Sequence, residues 1–115
     1  MLPTAGLLVL FMTIGGASAQ APQNADDVRE GHQLAAMLCA QCHVAAADQR
    51  FLPNLNPPAP PFSAVAQRPD LTADWLKNFL TTTHRGLDNP KGMPMPYLAD
   101  YQVKQVTAYL LSLRK

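Results

Sequence analysis

Apolar and polar residues alternate along this chain in blocks that differ in period. From Asp26 the apolar positions Val28, Gly31, Leu34, Ala35 and Leu38 recur at helical spacing among charged and polar neighbours. This predicts a helix capped by Asp26 or Asp27 and running to Cys39. Gly31 inside it costs about 1 kcal/mol relative to Ala, a penalty that suggests close approach of another element. His32, beside it, is expected to face water. Residues 44–61 have no period, and Pro53, Pro57, Pro58, Pro60 and Pro61 exclude a helix or a central strand. A second helix is predicted over Leu71–Leu80, ending near Thr83. Its cap is Thr72 or Asp70, and its apolar face is Trp75, Leu76, Phe79 and Leu80. A turn-rich stretch, His84 to Gly92, leads into Met93-Pro94-Met95-Pro96, where proline enforces extended backbone. The last helix opens at Ala99-Asp100, carries Val103, Val106, Leu110, Leu111 and Leu113, and closes on Arg114 and Lys115, cations suited to a helix C-terminus. Three main helices joined by loops make the predicted fold all-α.

The first block is different in kind. Leu2 to Ile14 is continuously apolar and is followed by Gly15-Gly16-Ala17-Ser18-Ala19, small residues of the type cleaved after an A-x-A. The run is shorter than the roughly 20 residues of a spanning helix. Residues 1–19 therefore read as a signal peptide and 20–115 as the mature domain, exported to the periplasm without stable membrane insertion.

A mature domain of this size builds only a marginal core from its own side chains. With aromatics at 7% and 11 prolines, a large flat cofactor would supply apolar contact that the chain lacks. The formal charge of +1 offers no basic stripe for nucleic acid or an anionic membrane.

The candidate chemistry is concentrated in Cys39-Ala40-Gln41-Cys42-His43. In an exported chain, Cys-x-x-Cys-His reads as the attachment site of c-type haem. Two thiols three apart at a helix end point to one side, where both can form thioethers with the vinyl groups of one porphyrin. His43 then supplies the proximal ligand to iron. A thioredoxin-like pair would follow a strand in a βαβ pattern, and none is visible. Zinc would need further ligands at a spacing that His32 and His84 do not offer. A disulfide would close a very short loop and leave His43 unexplained. One proline carbonyl of the 44–61 loop is a candidate acceptor for the His43 Nδ1 proton. For the sixth ligand, Met93 and Met95 stand two apart and in extended backbone point to the same side, so spacing does not choose between them.

With these residues placed, the mature chain resembles the monohaem class I cytochromes c, small all-helical bacterial electron carriers. Gly31 is similar to the family's helix-crossing glycine and Ala108-Tyr109-Leu110 to its aromatic partner motif on the last helix. Ala59-Pro60-Pro61-Phe62 resembles a Gly-Pro-x-Leu segment, which makes Pro60 the implied acceptor for His43. A Met followed by Pro, a few residues before the Leu that opens the last helix, resembles the distal-ligand segment. The match implies Met93 as the sixth ligand, with Met95 as the alternative. Where many relatives carry a propionate-binding Trp, this chain has Leu71, so the resemblance does not extend to that contact. Arg68 is a weaker candidate for the same role, and Trp75 is assigned to packing.

The resemblance implies a monomeric carrier, not an enzyme, with one His/Met-ligated haem c and its iron, serving redox partner proteins. Two other readings use the same residues. One is a haem sensor or peroxidase-like enzyme with a labile distal site. The other is a fixed cytochrome subunit of a dehydrogenase or oxidase complex.

Overall fold

Helix α1, Ala25–Leu34, begins two to three residues earlier than a cap at Asp26 or Asp27 predicts. The computed structural model describes Met1, Gly15 and residues 24–115. The signal peptide expected over residues 1–19 falls outside the described residues apart from Met1 and Gly15, and its expected cleavage point falls outside them too. Asn24 is the cap: its side chain accepts from the Asp26 backbone N–H at 3.0 Å. Asp26 and Asp27 instead occupy the first turn, where negative charge complements the helix N-terminus. Asp27 also pairs with Lys104 of the last helix at 2.9 Å.

After Leu34 the helix widens into a π-helical turn, Ala35–Cys39. The wider turn rotates everything after Ala35 away from the strict 3.6-residue register. Leu38, predicted on the core stripe, is 49% exposed and lines a cavity. Single π turns of this kind concentrate at functional sites.

Residues 44–61 form a loop tied by its own backbone and by one side chain. Gln49 accepts from the backbone N–H groups of Ala45 at 2.8 Å and Ala46 at 3.2 Å, and donates to the Phe51 carbonyl at 2.8 Å. At the loop's end, Pro61 caps a short helix absent from the sequence reading, α2, Phe62–Val65.

Helix α3 spans Ala73–Leu80, with Thr72 Oγ1 accepting from the Trp75 N–H at 3.1 Å. It stops before Thr83 because two hydroxyls compete for its last carbonyls. Thr81 Oγ1 donates to Lys77 O at 2.7 Å, and Thr82 Oγ1 donates to Asn78 O at 2.8 Å.

Helix α4, Asp100–Ser112, crosses α1. The crossing is close enough that a Cβ on Gly31 would fall onto the Gln105 carbonyl oxygen and lie 2.9 Å from Tyr109 Cβ. Tyr109 continues past the crossing, donating from its buried hydroxyl to Ala45 O at 2.8 Å. His32 is not simply solvated. Its Nε2 meets Asp48 Oδ1 at 2.7 Å and its ring packs on Tyr109, so α1, the loop and α4 share one contact point.

Arg114 also departs from expectation. Its guanidinium turns to another segment, donating to the carbonyls of Ala66 at 3.0 Å, Arg68 at 2.7 Å and Leu71 at 2.8 Å. The turn between α2 and α3 is thereby fixed to the end of α4. Ala35, Leu71, Leu76, Val103, Val106 and Leu110 fill the space between α1, α3 and α4. Among the described residues no helix is long and apolar enough to cross a membrane.

Candidate functional site

The core stops short of closure and leaves a largely apolar cavity of about 410 Å³ among α1, α3, α4 and the two long loops. Cys39, Cys42 and His43 all line it, and so does Met93.

The His43 ring is oriented by the loop that follows it. His43 and Ala59 form an isolated parallel bridge, with Ala59 N–H donating to Cys42 O at 2.8 Å. That pairing sets the neighbouring Pro60 carbonyl 2.7 Å from His43 Nδ1. A carbonyl only accepts, so Nδ1 carries the proton and the Nε2 lone pair is left for a metal. Phe62 packs against the ring at 5.2 Å.

No disulfide joins Cys39 to Cys42. Burial, and secondarily the neighbouring Cys42, push the Cys39 thiol up to about 11. A redox-active Cys-x-x-Cys needs the opposite, a thiol lowered toward neutrality. Among the described residues no three His, Cys, Asp or Glu side chains are grouped to hold a bare metal ion. The donor set therefore suits an iron that arrives in an organic macrocycle better than zinc.

The other candidates separate clearly. Met95 is half-buried but does not line the cavity. His84 is occupied elsewhere: its Nε2 lies 2.9 Å from Phe79 O and 3.1 Å from Thr82 Oγ1, and its ring stacks on Phe79 at 4.0 Å. Trp75 lines the cavity and stacks on the other neighbour of this row, Phe79, at 5.0 Å. Leu71 is fully buried in the core. Arg68 lines the cavity, but its fork is engaged by Asp70 at 3.1 and 2.8 Å and its guanidinium lies over the Trp75 ring. That carboxylate raises the Arg68 pKa, while Arg68 holds Asp70 below the ordinary carboxylate range.

Three contributors carried no signal in the sequence. Leu55, Arg85 and Lys91 reach the cavity from loops without periodicity.

An all-helical fold around an apolar cavity, with two thiols and an oriented imidazole in its wall, defines a covalent haem protein, and the comparisons agree. Residues 28–114 match the family Cytochrome c, and the chain belongs to that family. It is 34% identical over 105 residues to cytochrome c-552 of Bradyrhizobium diazoefficiens (strain JCM 10833 / BCRC 13528 / IAM 13628 / NBRC 14792 / USDA 110), covering 91% of this chain and 92% of that protein. No solved structure gives a significant match. The cofactor is accordingly haem c with its iron, held through the cysteine pair Cys39 and Cys42, and the chain is a haem electron-transfer protein of bacterial c-type.

Proposed function

We propose that this protein is an exported, periplasmic carrier of single electrons, and not an enzyme, with His43 and Met93 as the axial ligands of its haem. The observation that carries the reading is that Cys39, Cys42, His43 and Met93 line the same cavity, whereas Met95 and His84 do not. Bound there, the haem supplies a one-electron ferric/ferrous couple, whose potential a Met thioether raises relative to bis-histidine ligation.

The chain's own residues account for the rest. Cys39 and Cys42 anchor the group covalently, so loss of an axial bond does not release it. Pro60 fixes the His43 tautomer and ring plane, which strengthens the imidazole as a donor. Leu76, Phe79, Leu80, Val106 and Leu110 exclude water from the cavity. With a side chain at each axial position, no site remains for a substrate, so partners must be redox proteins that approach the edge. Export is supported by the apolar run and Ala17-Ser18-Ala19 at the start of the chain.

The test is the protein made with a haem-attachment system in the periplasm. Haem staining should survive a denaturing gel, and the intact mass should correspond to a chain beginning at Gln20 plus one haem. The ferric form should show the far-red band of thioether ligation, and the ferrous form should ignore carbon monoxide. Rapid carbon monoxide binding would replace the carrier by the sensor or peroxidase-like reading. Copurification with one stoichiometric partner would replace a diffusing carrier by a fixed subunit.

A further inference from the structure

The charged side chains lining the haem cavity are all of one sign outside the axial set. Arg68, Arg85 and Lys91 line it, and no Asp or Glu does. A porphyrin of this type brings two carboxylates, which need cationic or hydrogen-bonding partners if they are to leave bulk water. The position that many family members use for this purpose holds Leu71, which is fully buried and offers no donor.

The two arginines differ in availability. Arg68 is already compensated, because Asp70 takes its Nε and Nη2 and Trp75 takes its face. Arg85 makes no ion pair among the described residues. Its Nε donates to Gly92 O at 2.8 Å, and the Nη nitrogens have no partner among the described residues. That bond fixes the direction of the guanidinium stem and leaves its far end uncommitted. The loop beneath it is also tightly set: Asn89 Nδ2 donates to His84 O at 3.0 Å, and a Cβ on Gly92 would fall onto that same His84 carbonyl. The chain then passes directly from Gly92 to Met93.

We infer that Arg85 is the principal propionate-binding residue of this protein, taking over the contact that Leu71 cannot make, with Lys91 adding charge at the same edge. The inference rests on the haem reading of the cavity. The Arg85–Gly92 bond gives it a consequence beyond binding: one side chain links a haem carboxylate to the backbone next to the distal methionine. Arg85 is thus a positioning residue for Met93 as well as a counter-charge.

The experiment uses the holoprotein, with covalent haem checked first on a denaturing gel. Absence of covalent haem in wild type would defeat the haem reading itself, independently of Arg85. In Arg85→Gln, the propionate bending modes of the resonance Raman spectrum should shift to lower frequency, and the midpoint potential should fall because a positive charge near the iron is lost. Arg85→Lys keeps the charge but not the fork, so most of the potential should be retained while the propionate modes still shift. Arg50→Gln, an exposed arginine that does not line the cavity, should leave the modes unchanged. Unchanged propionate modes in Arg85→Gln would overturn the proposal whatever happens to the potential. A crystal structure of wild-type holoprotein tests it without any variant: an Nη nitrogen of Arg85 within hydrogen-bond distance of a propionate oxygen is expected, and a guanidinium turned to solvent refutes it.

Discussion

Replacing Gly31 by Ala tests the packing that aligns the haem-bearing helix. In an open helix, Gly→Ala stabilises by about 1 kcal/mol because it reduces the freedom of the unfolded chain and improves helix propensity. Here the new methyl group would overlap the Gln105 carbonyl oxygen, lie 2.5 Å from its carbon and 2.9 Å from Tyr109 Cβ. Two of these atoms are helix backbone, which cannot swing aside as a long side chain can. Helices α1 and α4 must therefore move apart. Overpacking of a core contact costs roughly 1–3 kcal/mol and occasionally more. The same displacement strains the buried Tyr109 hydroxyl bond to Ala45 O, and a buried acceptor left unpaired costs about 1–3 kcal/mol.

Set against the propensity gain, the net expectation is a destabilisation of about 1–5 kcal/mol. For a domain of this size that is a fall in Tm of roughly 4–40 °C. Thermal unfolding of the holoprotein by circular dichroism measures it, with Gln33→Ala, exposed on the same helix, as a control expected to stay within about 0.5 kcal/mol. The yield of covalent haem should fall as well, since α1 carries Cys39 into the cavity wall. A Tm for Gly31→Ala equal to or above that of wild type would refute the reasoning, because propensity alone would then have decided the outcome.

Met93→Ala should abolish the far-red thioether band and lower the midpoint potential, whereas Met95→Ala should keep the band and lose at most about 2 kcal/mol of stability; loss of the band in Met95→Ala alone would reverse the assignment. Gln49→Ala leaves the Ala45 and Ala46 N–H groups without their acceptor, and should cost about 1–3 kcal/mol in denaturant unfolding. Arg114→Ala removes three donors from the turn between α2 and α3, and after allowance for solvent exposure should cost about 1–2 kcal/mol. Hydrogen bonding to His32 holds the Asp48 carboxyl below the ordinary aspartate range. The stability from this pair is therefore complete above the ordinary value of about 3.9 and lost as pH falls through the lower folded value. Melts of Asp48→Asn and wild type should accordingly differ at pH 6 and converge only once the pH has fallen below the lowered folded value of Asp48.

What the sequence determined by itself is the chemistry that depends on neighbours along the chain. Cys39, Cys42 and His43 are fixed to one another by one to four peptide units, so their spacing announces covalent haem without a structure. The apolar faces of α1, α3 and α4 were legible for the same reason, since a helix repeats every 3.6 residues and its pattern is local. Even there the π turn at Ala35–Cys39 escaped, because an extra residue in one turn leaves no mark on composition.

Tertiary structure decided everything that needs two distant segments to meet. Nothing near Arg114 in the chain says that it will hold the 66–71 turn, and nothing near His32 says that Asp48 awaits it. The polar character of both residues was visible, but the direction of their hydrogen bonds was not. Five prolines in one loop offered carbonyls to His43, and the bridge between His43 and Ala59 brings Pro60 to its Nδ1. Met93 and Met95 have equivalent proline neighbours and the family resemblance favours Met93; what the fold adds is that Met93 lines the cavity and Met95 does not. Arg85 reads as an ordinary loop cation in the sequence, and its bond to Gly92 O and its place in the cavity wall appear only in the fold. Local sequence limits each residue to a small set of partners, and the free energy of closing loops and filling one shared core selects among them.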